Sequence, residues 1–364
     1  MKNKRIIIGG GGTGGHIFPA ISIAKAIKKL HPDTEILFVG AKDKIEMQKV
    51  PEAGFKIIGL PVAGFQRKLS VKNISFFIKL YKSMRKAARI IEEFKPQIAV
   101  GVGGYASGPI LRAAASKGIP TVLQEQNSYA GLTNKILARK ASKIFIAYEG
   151  MEKYFSAEKL VLSGNPVRPD LINSQIDSEE AFKSFGLIKD QPVILILGGS
   201  LGAGTINQSV LKAIDTFPDE VQILWQCGKY YYDKLKSEVD KRNKINVKLH
   251  AFISDMDKAF YVADIIISRA GAGTISELQV VGKAAILVPS PNVAEDHQTK
   301  NAMALVEKSA ALMVRDSEAE KELVQTSLDL LGNIGKRKEL SENIKKLALP
   351  NSAKRIAEEI FELL

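Results

Sequence analysis

The chain has 364 residues, a net charge of +13, and 45% hydrophobic and 25% charged residues. Its single cysteine, Cys227, excludes a disulfide framework or a cysteine-based metal cluster. No apolar run approaches the roughly 18 residues of a membrane span, and the length suits two domains better than one.

Charge is distributed unevenly. Residues 1–165 carry 27 basic and 11 acidic side chains, and the remainder carries 25 and 28, so the first half is expected to face an anionic partner. Taken in chain order, MKNKRIIIGGGG reads as a buried first strand over Arg5–Ile8, since three isoleucines are too few for a secretion signal. A glycine loop (Gly9–His16), a helix over Pro19–Leu30 and a second strand (Glu35–Val39) follow. QIAVGVGG (Gln97–Gly104) and PTVLQEQN (Pro120–Asn127) are further β-rich runs. Strands alternating with helical stretches predict βαβ units and a parallel sheet. The scheme restarts at Pro192–Gly204, and VQILWQCG, NVKLHAFI, ADIIISRAGAGT and AAILVPS supply more strands. GNPVRPDL (Gly164–Leu171) marks the join through its prolines and glycine. The expected fold is α/β, with two Rossmann-like, doubly wound parallel-sheet domains facing a cleft. Their expected spans are residues 1–165 and 166–350, with 351–364 a closing amphipathic helix packed back on the first domain.

Glycine loops stand at four strand ends: Gly9–Gly15, Gly101–Gly108, Gly198–Gly204 and Gly271–Gly273. Glycine allows close backbone approach, and a helix start attracts phosphate, so four such loops predict a large anionic ligand. The first loop fits G-x-G-x-x-G, but no acid stands at the end of the second strand (Val39–Gly40–Ala41) to hold a ribose, which argues against a dehydrogenase. No Lys-Ser or Lys-Thr follows the glycines, which excludes a Walker loop. In SRAGAGTISELQVVG (Ser268–Gly282) a strand runs into a helix start suited to a pyrophosphate, with Glu277 one turn in, placed for ribose hydroxyls or for the helix dipole.

GGTGGHIFPA, GGYASGP, QEQNSYAGLTNK, GNPVR, GGSLGA, AFISDM, RAGAGTISE and EDHQTKNA occur in this order along the chain. In these motifs the chain resembles the MurG family of UDP-N-acetylglucosamine transferases of peptidoglycan synthesis, over essentially its whole length. The resemblance implies the GT-B fold, with an N-terminal acceptor domain and a C-terminal donor domain. It implies inverting transfer of N-acetylglucosamine from UDP-N-acetylglucosamine to lipid I (undecaprenyl-pyrophosphoryl-MurNAc-pentapeptide), giving lipid II. It implies that Thr13, Gly14, Gly15 and Asn127 lie about the donor sugar, with Arg168 on the diphosphate and Ser200 also on the donor. Ile253 would bind uracil through its backbone. Ala272, Gly273, Thr274, Ile275, Ser276 and Glu277 would line diphosphate and ribose, and Gln298 would reach sugar hydroxyls. No cofactor is expected. The implied setting is peripheral, on the cytoplasmic face of the bacterial plasma membrane, with contacts to other proteins of wall synthesis. Two departures are small: Gln124 replaces a histidine of some members, and GAGTISE replaces GALTVSE.

Displacement by an acceptor hydroxyl needs a base, stabilisation of departing UDP, and alignment. His16, ending the first loop, is the expected base, because imidazole titrates near neutral pH; Glu125 is the alternative. His297 is expected to assist the donor, and His31 and His250 to be structural. Asp255-Met256-Asp257 formally matches a metal-binding Asp-x-Asp, but Ser254 and Asp257 have capping-box spacing, so no metal is expected there.

Between Arg67 and Lys95 nine basic residues interleave with apolar ones. Ile74, Phe77, Ile78, Tyr81 and Met84 recur at helical spacing and are expected in the core. Phe76 and Leu80 lie off that stripe. With Lys72 and Lys79 they are expected to dock on the anionic inner leaflet. The competing readings are a UDP-N-acetylglucosamine 2-epimerase-like enzyme and a non-catalytic nucleotide-sugar-binding membrane subunit. Nucleic acid is not an expected partner, because the glycine loops have no purpose there.

Overall fold

Three consecutive isoleucines make a strand only if both of its faces are covered, and a parallel sheet between helical layers provides that cover. The structure is a computed structural model. It describes residues 3–62, 72–173, 175–199 and 202–364, with side chains except at 72–77, 173 and 294. The chain divides into two compact units, one reaching to Val167 and taking in Pro350–Leu364, the other spanning Arg168–Leu349.

The first unit is built on seven parallel strands: β1 (Arg5–Gly9), β2 (Glu35–Ala41), β3 (Lys56–Leu60), β4 (Ile98–Gly101), β5 (Thr121–Glu125), β6 (Lys143–Ile146) and β7 (Leu160–Leu162). Their order is β3-β2-β1-β4-β5-β6-β7. Ile6, Ile7 and Ile8 are all fully buried, yet they serve different layers. Ile7 packs with Ala87, Ile90, Ile110 and Leu111 on one face. Ile6 and Ile8 pack on the other with the helix Gly14–Leu30 and with Ile356, Ala357 and Ile360. Those last three belong to the C-terminal helix Ser352–Phe361, which returns from the second unit to finish this layer. Phe361 stacks on His31 at 3.6 Å, and Lys143 pairs with Glu359 at 2.5 Å and Glu362 at 2.7 Å.

The second unit has six parallel strands: β8 (Val193–Leu197), β9 (Gln222–Gln226), β10 (Val247–His250), β11 (Ile265–Ser268), β12 (Ala284–Leu287) and β13 (Leu312–Met313), in the order β10-β9-β8-β11-β12-β13. In each sheet the order reverses once, between β1 and β4 and between β8 and β11. The connections leave toward opposite faces there, and a crevice opens at the carboxyl ends of the two strands. Those four strand ends carry the four glycine loops.

Candidate active site

In the first unit Gly9 pairs with Gly101 across the reversal point, so the loops following β1 and β4 run side by side. They touch through backbone: Gly11 N–H donates to Gly103 O at 3.3 Å. Gly104 has φ +82°, and a Cβ there would overlap the Gly11 carbonyl oxygen. His16 leans on this pair of loops, since a Cβ on Gly103 would sit 2.9 Å from its Cε1. The His16 Nδ1 lies 3.1 Å from Gln126 Oε1. The Gln126 amide is oriented by its own donor side, which bonds Val102 O at 2.7 Å and Gln124 Oε1. An oxygen therefore faces His16, and Nδ1 carries the proton. This makes Nε2 the basic nitrogen of the ring. Thr13 and Gly15 are exposed and Gly14 is half-buried, so the helix start beside His16 is open to a ligand.

Glu125, the alternative base, has a different part. It is 2% exposed. Its Oε1 accepts from Asn127 N at 3.1 Å and Asn127 Nδ2 at 3.3 Å; its Oε2 accepts from Asn134 Nδ2 at 2.8 Å and Gly131 N at 3.0 Å. A carboxylate so surrounded by donors clamps the loop after β5. Asn127 is held by that clamp. Its neighbour Asn165 ties the same loop to the end of β7 by bonding Gln126 O at 2.9 Å and Gln124 Nε2 at 2.8 Å.

The sequence reading missed Glu46. This residue begins the helix Glu46–Glu52, five positions past the end of β2, and is 0% exposed. Its carboxylate turns back to accept from Ala41 N at 2.8 Å and, through both oxygens, from Gly12 N at 2.9 and 3.0 Å. The available signal was a pair of glycines. A Cβ on Gly40 would meet Glu46 Cγ at 2.5 Å, and one on Gly11 would overlap the carboxylate.

In the second unit Arg168 Nε donates to Glu277 Oε1 at 2.8 Å, joining the two residues expected at the diphosphate and ribose. Burial pushes the Glu277 carboxyl above the usual carboxylate range, and the Arg168 charge opposes that rise. Glu277 lies on the helix Ala272–Val281, which starts at the end of β11. Of the six residues expected to line a donor, Ala272, Gly273, Thr274 and Glu277 reach the surface. The Ile275 side chain is fully buried, and buried Ser276 donates back to Ala272 O at 3.1 Å, so these two side chains serve packing. A Cβ on Gly273 would meet nothing within 4 Å, which leaves the helix start open.

Ile253 donates its backbone N–H to Gln226 Oε1 at 2.8 Å, so a base contact there falls to its carbonyl. Gln298 Oε1 accepts from Ser290 N at 2.8 Å, which fixes its amide on the loop after β12. Ser200 lies outside the described residues. Around these groups runs a network absent from the sequence reading. Arg269 pairs with Asp316 and bonds Val288 O at 3.1 Å and Pro289 O at 3.3 Å, while Thr205 donates to Asp316 at 3.0 Å. It ties together the segments after β8, β11, β12 and β13. The expected capping box at Ser254 does not form: the helix Met256–Val262 has Asp255 at its N-cap, without a side-chain cap bond.

The basic segment forms the helix Lys72–Phe94, and here the expected core is overturned at Ile78 and Tyr81, while Met84 is half-buried. Ile78 and Tyr81, placed in the core by spacing, are 51% and 62% exposed, alongside Leu80 at 38%. The buried face is Ser83, Ala87, Ile90 and Ile91, further along the helix. Arg85 lies over the Tyr81 ring at 5.8 Å, and Lys79 is exposed. The Phe76 and Lys72 side chains, with those of Ile74 and Phe77, lie outside the described residues. Among the described residues no helix is long and apolar enough to cross a membrane.

Residues 6–146 match the glycosyltransferase family 28 N-terminal domain and residues 193–359 its C-terminal domain. With two parallel-sheet α/β units carrying glycine loops at their reversal points, they define a glycosyltransferase of the GT-B fold. The chain is 56% identical to the UDP-N-acetylglucosamine–N-acetylmuramyl-(pentapeptide) pyrophosphoryl-undecaprenol N-acetylglucosamine transferase of Bacteroides thetaiotaomicron, over 100% of this chain and 98% of that one. It is also 56% identical to the Parabacteroides distasonis protein of the same name, over 100% and 99%. The crystal structure of Acinetobacter baumannii MurG superposes with a TM-score of 0.80 at 29% identity, covering 99% of both chains. The chain belongs to the MurG family of these transferases.

Proposed function

We infer that this protein transfers N-acetylglucosamine from UDP-N-acetylglucosamine to the C4 hydroxyl of lipid I, with inversion, making lipid II. The observation that carries this is the full-length 56% identity to transferases named for that reaction, which the glycine loops and His16 geometry support. It leaves no advantage to the epimerase-like or non-catalytic alternatives. In this reading His16 Nε2 takes the hydroxyl proton. Arg168 and the start of the Ala272–Val281 helix meet the charge on departing UDP. Glu277 accepts from the ribose hydroxyls. The test is transfer of labelled N-acetylglucosamine to a short-chain lipid I analogue in the presence of EDTA. Labelled acceptor is expected; a labelled donor consumed or epimerised without acceptor labelling would overturn the reading.

The Arg168–Glu277 pair has a pH consequence. Arg168 holds the Glu277 carboxyl down against burial, so removing the guanidinium lets that carboxyl rise further. Arg168→Met is expected to weaken UDP binding roughly 10- to 100-fold at neutral pH, the size of a lost charge-assisted contact. On acidification its remaining affinity should fall away at a higher pH than in the wild type, because the carboxylate protonates sooner. Calorimetric titration with UDP across the neutral-to-acid range measures both effects.

The exposed Ile78, Leu80 and Tyr81, set among Lys79, Lys82 and Arg85, support docking of the first unit on anionic lipid, with the enzyme peripheral to the cytoplasmic face of the plasma membrane. Replacing all three apolar residues by serine is expected to lower binding to anionic vesicles about tenfold or more, with transfer to a water-soluble acceptor preserved. Unchanged vesicle sedimentation would remove this surface from the reading.

A further inference from the structure

A glycine loop leading into a helix is a general anion site, because its backbone N–H groups converge on one point. In the dinucleotide-binding fold an acid at the end of the second strand holds the ribose of the nucleotide lying over that loop. Here the first unit has the loop, and the acid comes one turn later, from Glu46. It reaches the loop itself. Both carboxylate oxygens take the Gly12 N–H, and Oε1 also takes that of Ala41. The loop is shaped to this partner: Gly11 has φ +133° and Gly12 φ +91°, and the space a Cβ on Gly11 would need is filled by the Glu46 carboxylate.

We propose that Glu46 is a positioning residue: through the Gly12 N–H its carboxylate holds the first glycine loop in the shape that presents His16. Two consequences follow. The Gly12 N–H, spent on a carboxylate, is not available to a ligand, which at this loop meets the helix start over Thr13–Gly15 instead. The loop is also ordered before any substrate arrives, fixed from below by Glu46 and from the side by the loop after β4. This inference builds on the acid–base reading of His16, which sits four residues beyond Gly12.

The test begins with Glu46→Gln, which keeps side-chain size but turns an NH₂ or a single weaker acceptor toward the Gly12 N–H. Its kcat for sugar transfer is expected to fall about 10- to 100-fold, the cost of misplacing a reacting group by about an ångström, while KM for UDP-N-acetylglucosamine stays within about twofold of wild type. In Glu46→Ala, added formate or inorganic phosphate is expected to restore part of the lost kcat by filling the vacated anion site. Amide hydrogen exchange of the Gly9–His16 segment, measured without substrates, should speed up in both variants. That readout stands even if the transfer reading fails. Wild-type exchange and kcat in Glu46→Gln would overturn the proposal. So would a donor KM that rises in step with the loss of kcat, or an alanine variant indifferent to small anions whose loop exchange is unchanged.

Discussion

His16→Ala is expected to lower kcat about 10²- to 10⁴-fold, the range for loss of a positioned general base, while KM for the UDP-sugar and the affinity for UDP remain near wild type. The expectation rests on how the imidazole is held. Gln126 offers its oxygen to Nδ1 because Val102 O and Gln124 Oε1 engage its NH₂, so the ring is fixed in one tautomer with Nε2 basic. The ring also lies against Gly103, where any side chain would displace it. An alanine could lose activity merely by loosening the loop, and His16→Asn separates the two causes. Its amide can still donate to Gln126 Oε1 but supplies no base. Equal losses in the two variants would fit a base, whereas an active asparagine variant would reduce His16 to a structural role. Gln126→Leu should cost less than either and should move the pH dependence of kcat, because the tautomer is then no longer imposed.

The architecture was legible because parallel sheets demand what a sequence displays openly. Strands covered on both faces must be runs of β-branched apolar residues, as in Ile6–Ile8 and Ile265–Ile267, and reversal points must carry glycine where two loops meet. His16, Arg168 and Glu277 stood out because each closes a recognisable motif. What escaped detection depends on three-dimensional return. Glu46 lies in an unremarkable helix start, and only the fold brings its carboxylate beneath Gly12. The bonds that turn Glu125 into a clamp come from Asn127, Gly131 and Asn134, none of which announces its direction in sequence. Motif membership likewise does not say which side chains turn inward, hence the burial of Ile275 and Ser276 within a stretch expected to line the donor. The Lys72–Phe94 helix shows the limit of periodicity. An apolar stripe identifies a face, but not whether anything in the chain covers it, and at Ile78 and Tyr81 nothing among the described residues buries it.

Gly104→Ala is expected to abolish most activity, by about 100-fold or more in kcat, and to lower the melting temperature of the protein. Gly104 has φ +82°, a region that strains any residue with a Cβ by roughly 1–2 kcal/mol. The larger effect is steric. The new methyl would overlap Gly11 O and lie 3.0 Å from Gly11 C and 3.1 Å from Gly11 N, all backbone atoms with no rotamer to escape into. The two loops must then part, which breaks the Gly11 N–H to Gly103 O bond and shifts the segment that carries Gly12 away from Glu46. Gly12→Ala is the internal control: its φ of +91° imposes comparable strain, but a Cβ there meets nothing within 4 Å. If the contact between loops is what positions His16, Gly104→Ala should lose far more kcat than Gly12→Ala, and more melting temperature as well. Matching kcat values would mean that backbone strain alone sets the penalty and that the loops tolerate separation. UDP affinity should be unaffected in both, because Arg168 and Glu277 lie in the other unit.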